Sequence, residues 1–260
     1  MLMRIGIYQF DTSSIIEENF INIKKAIIEG SKQNVRLMIF HECALCGYPP
    51  IETPSVKQID FEIVHIYLEQ IRQLARQYSM YIGVGTIRRE DDEYYNSVQL
   101  IDPSGTYLEP YDKRALWGWD TDNFKKGNKS GIYLIDGKKI GVRICYEVRF
   151  PEYFRELFKS DVELGFVCFC DVSETENEER YNIIKSHLIT RAVENVMTII
   201  SVNSISKYQT APTGVFDTDG KVILEAARNK KSLLIYDYLK PETNFGALGR
   251  LKHSQELISK

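Results

Sequence analysis

Short apolar runs alternate with amphipathic segments along almost the whole chain, and this alternation limits the folds open to it. Arg4–Phe10 alternates as a strand, and Val35–Phe40 and Leu164–Phe169 are typical of buried strands. Ser14–Gln33 and Phe61–Tyr78 place apolar residues three or four positions apart, which indicates helices. The same patterns predict further helices over Pro151–Phe158 and Glu178–Asn195, and further strands over Tyr81–Arg88, Val196–Val202 and Ser232–Tyr238. The chain is therefore predicted to be an α/β protein.

Turn sequences join several of the predicted strands directly. "DPSG" separates strands over Tyr94–Asp102 and Tyr107–Tyr111, and "DGKK" links Gly131–Ile135 to Lys139–Ile144. A third hairpin spans 213–226, with "DTDG" at its tip. Hairpins make antiparallel pairs, whereas strand–helix–strand units make parallel ones. Two mixed sheets packed on each other with helices outside, an αββα sandwich, accommodate both.

Composition, charge and hydropathy limit the number of domains and the kinds of partner that the chain is predicted to have. No internal repeat or low-complexity linker divides it, so we expect one domain over residues 1–260. The formal net charge of −3 gives no basic excess for binding nucleic acid. No run of about 18 apolar residues predicts a membrane span, and the first residues lack the features of a secretory signal. We therefore expect a cytoplasmic protein with neither a nucleic acid nor a membrane as partner.

Three chemically active residues follow apolar strands. Glu42 comes two residues after Val35–Phe40, Lys113 follows Tyr107–Tyr111, and Cys145 follows Lys139–Ile144. Ligands of α/β proteins tend to bind at strand ends, where loops are shaped on rigid roots. The three residues are therefore candidates for one site.

A carboxylate, an ammonium and a thiol make a coherent catalytic set. A free thiol has a pKa of about 8.5, so a nucleophilic cysteine needs a base such as Glu42. The Lys113 ammonium and the backbone N–H of Tyr146 could stabilise an oxyanion formed on an attacked carbonyl. Taken singly, each residue has an ordinary alternative: a solvated loop glutamate, a surface lysine, or an inert cysteine in the core.

The three segments resemble the signatures of the nitrilase superfamily, the carbon–nitrogen hydrolases. "FHECALCGYPP", "YDKRALWG" and "GVRICYEVRFPE" are similar to the glutamate, lysine and cysteine motifs of that family and occur in its order. "RAVENVMTIISVN" and "TGVFDTDG" resemble later family segments, so the likeness covers essentially the whole chain.

The resemblance implies a fold, a reaction and an assembly. It implies the αββα sandwich, with Glu42 as general base, Lys113 as oxyanion stabiliser and Cys145 as nucleophile. The implied reaction is attack on an amide, carbamoyl or nitrile carbon, loss of ammonia or an amine, and hydrolysis of the thioester by water. It implies neither a metal nor an organic cofactor, and it implies a homodimer formed through the face near the cysteine.

Some positions depart from the family pattern. Asp120 stands where a second glutamate is usual, and either it holds Lys113 or the attacking water, or it is a surface residue. Ala115 replaces a usual histidine, and His41 replaces a usual proline. These departures keep open a second interpretation, in which the chain has the fold of the family but binds without catalysing.

Aromatic and basic residues near the motifs are candidates for binding substrate. Tyr48, Trp117 and Phe169 are predicted to line a pocket with Tyr146, or else to pack in the core. Arg149 is predicted to hold a substrate carboxylate, or else to brace the fold. Because nitrilases proper usually have tryptophan at the position of Tyr146, an amide or N-carbamoyl compound is favoured over a nitrile.

Two further interpretations concern the cysteines and the acidic residues. A zinc site built from His41, Cys43, Cys46, Cys168 and Cys170 lacks the usual ligand spacing, so we predict no metal. The five cysteines are an odd number and are not typical of a disulfide framework. The acidic stretch 171–179 is either a solvated segment or an entrance that disfavours anions.

Overall fold

Two six-stranded mixed sheets form the centre of the structure, a computed structural model that describes residues 2–258. The strands of the first sheet are β1 (Met3–Gln9), β2 (Leu37–Phe40), β3 (Tyr81–Glu90), β4 (Glu93–Ile101), β5 (Tyr111–Asp112) and β14 (Ser232–Tyr238). Their spatial order is β14-β1-β2-β3-β4-β5, with β1, β2 and β3 parallel.

The second sheet repeats this plan. Its strands are β6 (Ile132–Ile135), β7 (Lys138–Ile144), β8 (Leu164–Phe169), β10 (Thr198–Asn203), β12 (Gly214–Phe216) and β13 (Val222–Glu225). Their order is β13-β12-β10-β8-β7-β6, with β7, β8 and β10 parallel. Two short strands, β9 (Val172–Ser173) and β11 (Tyr208–Gln209), pair separately.

Helices cover the outer faces of both sheets. The helices are α1 (Ile16–Lys32), α2 (Phe61–Gln77), α3 (Asp120–Asn123), α4 (Pro151–Lys159), α5 (Glu178–Asn195) and α6 (Phe245–Ile258), with 3-10 turns at Val56–Gln58 and Cys145–Arg149, and α1, α2, α4 and α5 are those that cover the sheets. Helices α1 and α2 share an apolar core with the first sheet, and α4 and α5 share one with the second. Among the described residues, no helix is both long and apolar enough to cross a membrane.

A third apolar core lies between the two sheets. Strand β8 illustrates how alternation builds it, because Phe166 and Cys168 belong to the core between the sheets while Val167 and Phe169 pack with α4 and α5. Apolar residues on both faces explain why this strand reads as a continuous apolar run. The predicted αββα sandwich of two mixed sheets is confirmed.

Two element predictions differ from the structure. The strand predicted over Tyr107–Tyr111 is reduced to an isolated bridge at Tyr107 and to β5, because Pro110 has no N–H for a ladder. Helix α6 is not predicted by the sequence pattern, since glycines at 246 and 249 weaken its helical character.

Candidate active site

Glu42, Lys113 and Cys145 lie together at one edge of the sandwich. Glu42 follows β2, Lys113 follows β5, and Cys145 follows β7. The Lys113 Nζ donates to Glu42 Oε1 at 2.8 Å, and both side chains are about 1 % exposed. Lys113 and Cys145 line the same cavity, which has a volume of about 210 Å³. The fold thus gathers three strand ends that are far apart in sequence.

The Glu42 carboxylate is held by three donors. Lys113 and the Asn96 side chain donate to Oε1 at 2.8 and 2.7 Å, and the backbone N–H of Cys170 donates to Oε2 at 2.8 Å. A carboxylate offers about four acceptor positions, so about one remains free. Glu42 is therefore fixed in orientation and still able to take a proton.

Lys113 bridges two carboxylates. Its Nζ also donates to Asp120 Oδ2 at 2.7 Å, and Asp120 is fully buried at the start of α3. The Tyr48 hydroxyl donates to the other oxygen of Asp120 at 2.5 Å. Asp120 therefore lies beside Lys113 rather than on the surface, and Tyr48 fixes it there.

Burial and neighbouring charges set the protonation of these groups. Burial raises the pKa of Cys145 well above its ordinary value; Glu42 adds to the shift and Lys113 opposes it. Burial also raises the pKa of Glu42, although the Lys113 ammonium counteracts part of the effect. Burial alone would lower the pKa of Lys113, but Glu42, Cys145 and Asp120 together raise it well above its ordinary value. The Cys145 thiol is thus protonated at rest, and Lys113 stays charged.

The backbone at Cys145 has an unusual conformation. Its φ is +44°, in the left-handed region that non-glycine residues rarely adopt, and it is the first residue of the 3-10 turn Cys145–Arg149. The N–H of Tyr146 is one of the first in that turn, where N–H groups have no carbonyl within the turn to bind. The turn therefore presents the thiol together with a donor.

The cavity contains most of the residues predicted to bind substrate. Tyr48, Trp117, Tyr146 and Arg149 line it, and Trp117 is 53 % exposed. Phe169 does not line it, because strand alternation turns its side chain toward α4 and α5. Among the described residues Arg149 forms no ion pair, and its guanidinium carbon lies 6.0 Å from the centre of the Tyr146 ring.

Sequence reasoning missed several residues at the site. Asn96 orients Glu42 from the middle of β4, where a buried polar residue inside a strand pattern was the available signal. Asn177 and Arg180, at the start of α5, line the cavity. Arg180 Nε donates to Asp171 Oδ1 at 2.8 Å, so a second guanidinium stands near Cys145, backed by an acid.

Several residues of the acidic stretch 171–179 form ion pairs with nearby cations. Asp171 pairs with Arg180, Glu174 with Lys207, and Glu178 with Arg228, so neighbouring cations offset these charges. His41 is buried against Phe10, and burial lowers its pKa to about 4. Across residues 2–258 no group of three or more His, Cys, Asp or Glu side chains is arranged to hold a metal ion, and all five cysteines are free.

A cavity lined by Cys145 and Lys113, with Glu42 hydrogen-bonded to Lys113, has the groups needed for attack of a thiol on a carbonyl carbon. Comparison with known proteins gives the family. The carbon–nitrogen hydrolase family model matches residues 4–240, and the chain belongs to this family. It is a hydrolase of carbon–nitrogen bonds other than peptide bonds.

Curated relatives of the chain include amidases. It is 25 % identical over 223 residues to an (R)-stereoselective amidase of Pseudomonas sp, covering 78 % of each protein. It is 25 % identical over 218 residues to the 2-oxoglutaramate amidase of Bacillus subtilis, covering 80 % of this chain and 81 % of that protein.

Solved structures share the fold. The NitN amidase of Nesterenkonia sp. AN1 superposes with a TM-score of 0.84 at 22 % identity, over 99 % of this chain and 98 % of that one. A variant of that amidase, with a TM-score of 0.84 at 21 % identity over 99 % of this chain and 95 % of that one, carries the acetamide moiety of fluoroacetamide covalently on its active-site cysteine.

Proposed function

We propose that this protein hydrolyses a small amide that carries a carboxylate away from the scissile bond, through a thioester on Cys145. The observation that supports the reaction is the buried chain of contacts from Asp120 through Lys113 to Glu42, at the cavity that Cys145 lines. The observation that supports the substrate is Arg149, which lines that cavity without an acid partner among the described residues.

The proposed acylation uses each buried group once. Glu42 takes the proton of the Cys145 thiol as the sulfur attacks the amide carbon. The Lys113 ammonium and the Tyr146 N–H stabilise the resulting oxyanion, and Asp120 keeps Lys113 in place. Protonated Glu42 then gives its proton to the leaving nitrogen, and ammonia or an amine departs.

In deacylation water is the nucleophile, and the Cys145 sulfur is the leaving group. Glu42 takes a proton from water as the water oxygen attacks the thioester carbon, with the same donors at the oxyanion. The C–S bond breaks, the sulfur regains a proton, and a carboxylic acid leaves. No step in this scheme requires a cofactor, and neither one nor a metal is proposed.

The substrate class follows from charge and shape. A guanidinium binds a carboxylate with two parallel hydrogen bonds, and Arg149 is available for this because Arg180, the other arginine at the cavity, is paired with Asp171. Trp117 and Tyr48 offer apolar surface for a short chain between the two ends. The 2-oxoglutaramate amidase relative acts, by its name, on a monoamide of this kind. An N-carbamoyl acid or a nitrile is the second candidate, since either presents an electrophilic carbon to the same thiol.

The test is ammonia release from a panel of neutral amides, monoamides of dicarboxylic acids, N-carbamoyl amino acids and nitriles. We expect turnover of the dicarboxylate monoamides, no turnover by Cys145→Ala, and normal turnover by Cys168→Ala, which removes a buried thiol of the core between the sheets that does not line the cavity. Activity retained in Cys145→Ala would overturn the mechanism. Turnover of nitriles alone would overturn the substrate class.

A charge-reduced variant tests the role of Arg149. Arg149→Gln should raise KM for acidic amides about 10-fold or more and leave KM for neutral amides unchanged, since one charge-assisted hydrogen bond contributes about 1.5–3 kcal/mol. Equal effects on both substrate types would assign Arg149 to the fold instead.

We also propose that the chain acts as a single domain in the cytoplasm and assembles as a homodimer. The family resemblance supports the dimer, and the continuous cores on either side of both sheets support the single domain.

A further inference from the structure

Glu147 is a fully buried acid that the proposed mechanism does not use. It lies two residues after Cys145 in the 3-10 turn, and its exposed fraction is 0 %. A buried carboxylate is retained only where donors replace the water it has lost. Its donors therefore indicate what it does.

Three of those donors belong to the backbones that carry the candidate nucleophile and ammonium. The N–H of Ile144, the residue before Cys145, donates to Glu147 Oε2 at 2.7 Å. The N–H of Arg114, the residue after Lys113, donates to Oε1 at 2.6 Å. The N–H of Ala115 lies 3.4 Å from the same oxygen. One carboxylate thus joins two loops that contribute different groups to the site.

A fourth donor holds the carboxylate itself. The Tyr111 hydroxyl lies 2.8 Å from both Glu147 oxygens, and Tyr111 is the first residue of β5, just ahead of Lys113. Arg143 and Arg114 lie over the Tyr111 ring, with guanidinium carbons 5.5 and 5.9 Å from its centre. Tyr111, on the strand that leads to Lys113, therefore fixes the position of the Glu147 carboxylate.

We infer that Glu147 is a positioning residue for the reaction: it holds the Cys145 turn and the Lys113 loop in register, and so sets the separation of the thiol and the ammonium. The left-handed backbone at Cys145 makes such a tie necessary, because that conformation is costly and persists only where the surroundings impose it. The inference rests on the proposed roles of Cys145 and Lys113.

Glu156 supplies a matched control. It is an acid of the same cluster that pairs with Arg114 and Arg143, but it binds only their side chains and no backbone of the two catalytic loops. Glu156→Gln therefore removes a neighbouring charge and leaves the backbone hydrogen bonds of both loops in place.

The experiment compares Glu147→Gln with Glu156→Gln and the parent protein. A glutamine keeps one acceptor oxygen but turns an NH₂ donor toward the N–H of Ile144 or of Arg114. We expect kcat to fall about 100-fold with KM within about 3-fold, since a misplacement near 1 Å has an effect of that size. Glu156→Gln should keep the parental kcat even if its melting temperature falls.

A second readout separates positioning from general support of the fold. The rate of Cys145 alkylation by iodoacetamide, located by peptide mass analysis, is measured against pH. The midpoint should rise where the thiolate loses part of the ammonium that stabilises it, and it should rise less in Glu147→Gln than in Glu147→Asp, because the lost carboxylate charge favours the thiolate. Glu147→Asp retains the charge but is one methylene too short to reach both loops, so it should shift in the same direction; this variant carries the test if glutamine prevents folding.

The outcomes separate the two claims. The proposed function fails if Cys145→Ala retains the parental ammonia release. If Cys145→Ala is inactive but kcat and the pH midpoint of Cys145 alkylation are unchanged in a folded Glu147 variant, the positioning role is overturned. The positioning role is also overturned if kcat falls with melting temperature in the same proportion in Glu156→Gln and in the Glu147 variants.

Discussion

The proposed chemistry depends above all on one residue, Glu42, whose carboxylate keeps one acceptor position free for the proton of the Cys145 thiol. Asn96, Lys113 and the Cys170 N–H occupy the other positions and prevent the carboxylate from rotating. Since burial raises the pKa of the Cys145 thiol, almost no thiolate is present before substrate binds. A base at this place is therefore required.

Glu42→Gln should lower kcat/KM for the best amide by about 10²–10⁴-fold, the range for loss of a general base. The amide nitrogen of glutamine cannot accept the thiol proton, although the side chain has the same shape. Steady-state ammonia release measures the effect, with circular dichroism to establish folding. A loss under 10-fold would assign the proton to another acceptor.

The acidic limb of the kcat/KM profile should lie at higher pH than the ordinary pKa of a glutamate would place it. Activity requires unprotonated Glu42, and its pKa is raised above the ordinary 4.5 because the group is buried. The acidic limb of kcat/KM should therefore lie above pH 4.5, with activity increasing as pH rises through it. A limb at or below pH 4.5, measured with a substrate that does not itself titrate there, would contradict the role of Glu42.

Asp120→Asn should have a smaller effect than Glu42→Gln, because Asp120 acts on the reaction through Lys113. The asparagine keeps one oxygen for the ammonium but removes a charge 2.7 Å from it. We expect kcat to fall about 10-fold, and a smaller fall for Tyr48→Phe, which removes the hydroxyl bound to Asp120. A loss as large as that of Glu42→Gln would make Asp120 a direct participant.

Among the elements, β3 packs directly against the loop that carries Glu42. A Cβ built on Gly85 would lie 2.0 Å from the His41 carbonyl oxygen and 2.7 Å from the Cys43 nitrogen. The Gly85 carbonyl also accepts the N–H of Leu45 at 3.0 Å. The loop that carries Glu42 therefore packs on the strand with no space for a side chain.

Gly85→Ala should destabilise the fold by about 1–3 kcal/mol and lower kcat, because the backbone on both sides of Glu42 must move. Thermal melts and ammonia release measure the two effects. Gly249→Ala is the control, since nothing lies within 4 Å of its Cβ position in α6 and alanine favours a helix. Equal results for the two variants would show that the close contact has no consequence.

At the scale of the whole molecule, the sandwich itself assembles the site. Glu42 belongs to the first sheet and Cys145 to the second, and the hydrogen bond from the Cys170 N–H to Glu42 joins the two sheet edges. The site is therefore stable only when both sheets are packed. Loss of activity and loss of the near-ultraviolet circular dichroism signal should coincide in urea.

The homodimer is tested by sedimentation equilibrium at micromolar concentration. We expect twice the chain mass of 30.1 kDa, because the family resemblance implies an interface near the Cys145 face. A protein that sediments as a monomer and remains fully active would remove the dimer from the proposal.

Local patterns in the chain were enough to predict most strands and helices, the αββα class, and the positions of Glu42, Lys113 and Cys145 at strand ends. Those features are local: periodicity is read over a few turns of helix or strand, and each motif is one short segment. For Phe169 the pattern left pocket and core open, because the layer that a strand residue faces is not set by its own sequence, and the structure places Phe169 in the core with α4 and α5.

The groups that surround Glu42, Lys113 and Cys145 come from distant parts of the chain, so local sequence patterns do not predict them. Asn96 and the Cys170 N–H reach Glu42 across 54 and 128 residues of chain, and nothing near Asp120 in the sequence indicates that Tyr48 binds it. The physical reason is that these contacts depend on strand order and sheet packing. Both arise from burial of apolar surface over the whole molecule rather than from any local pattern.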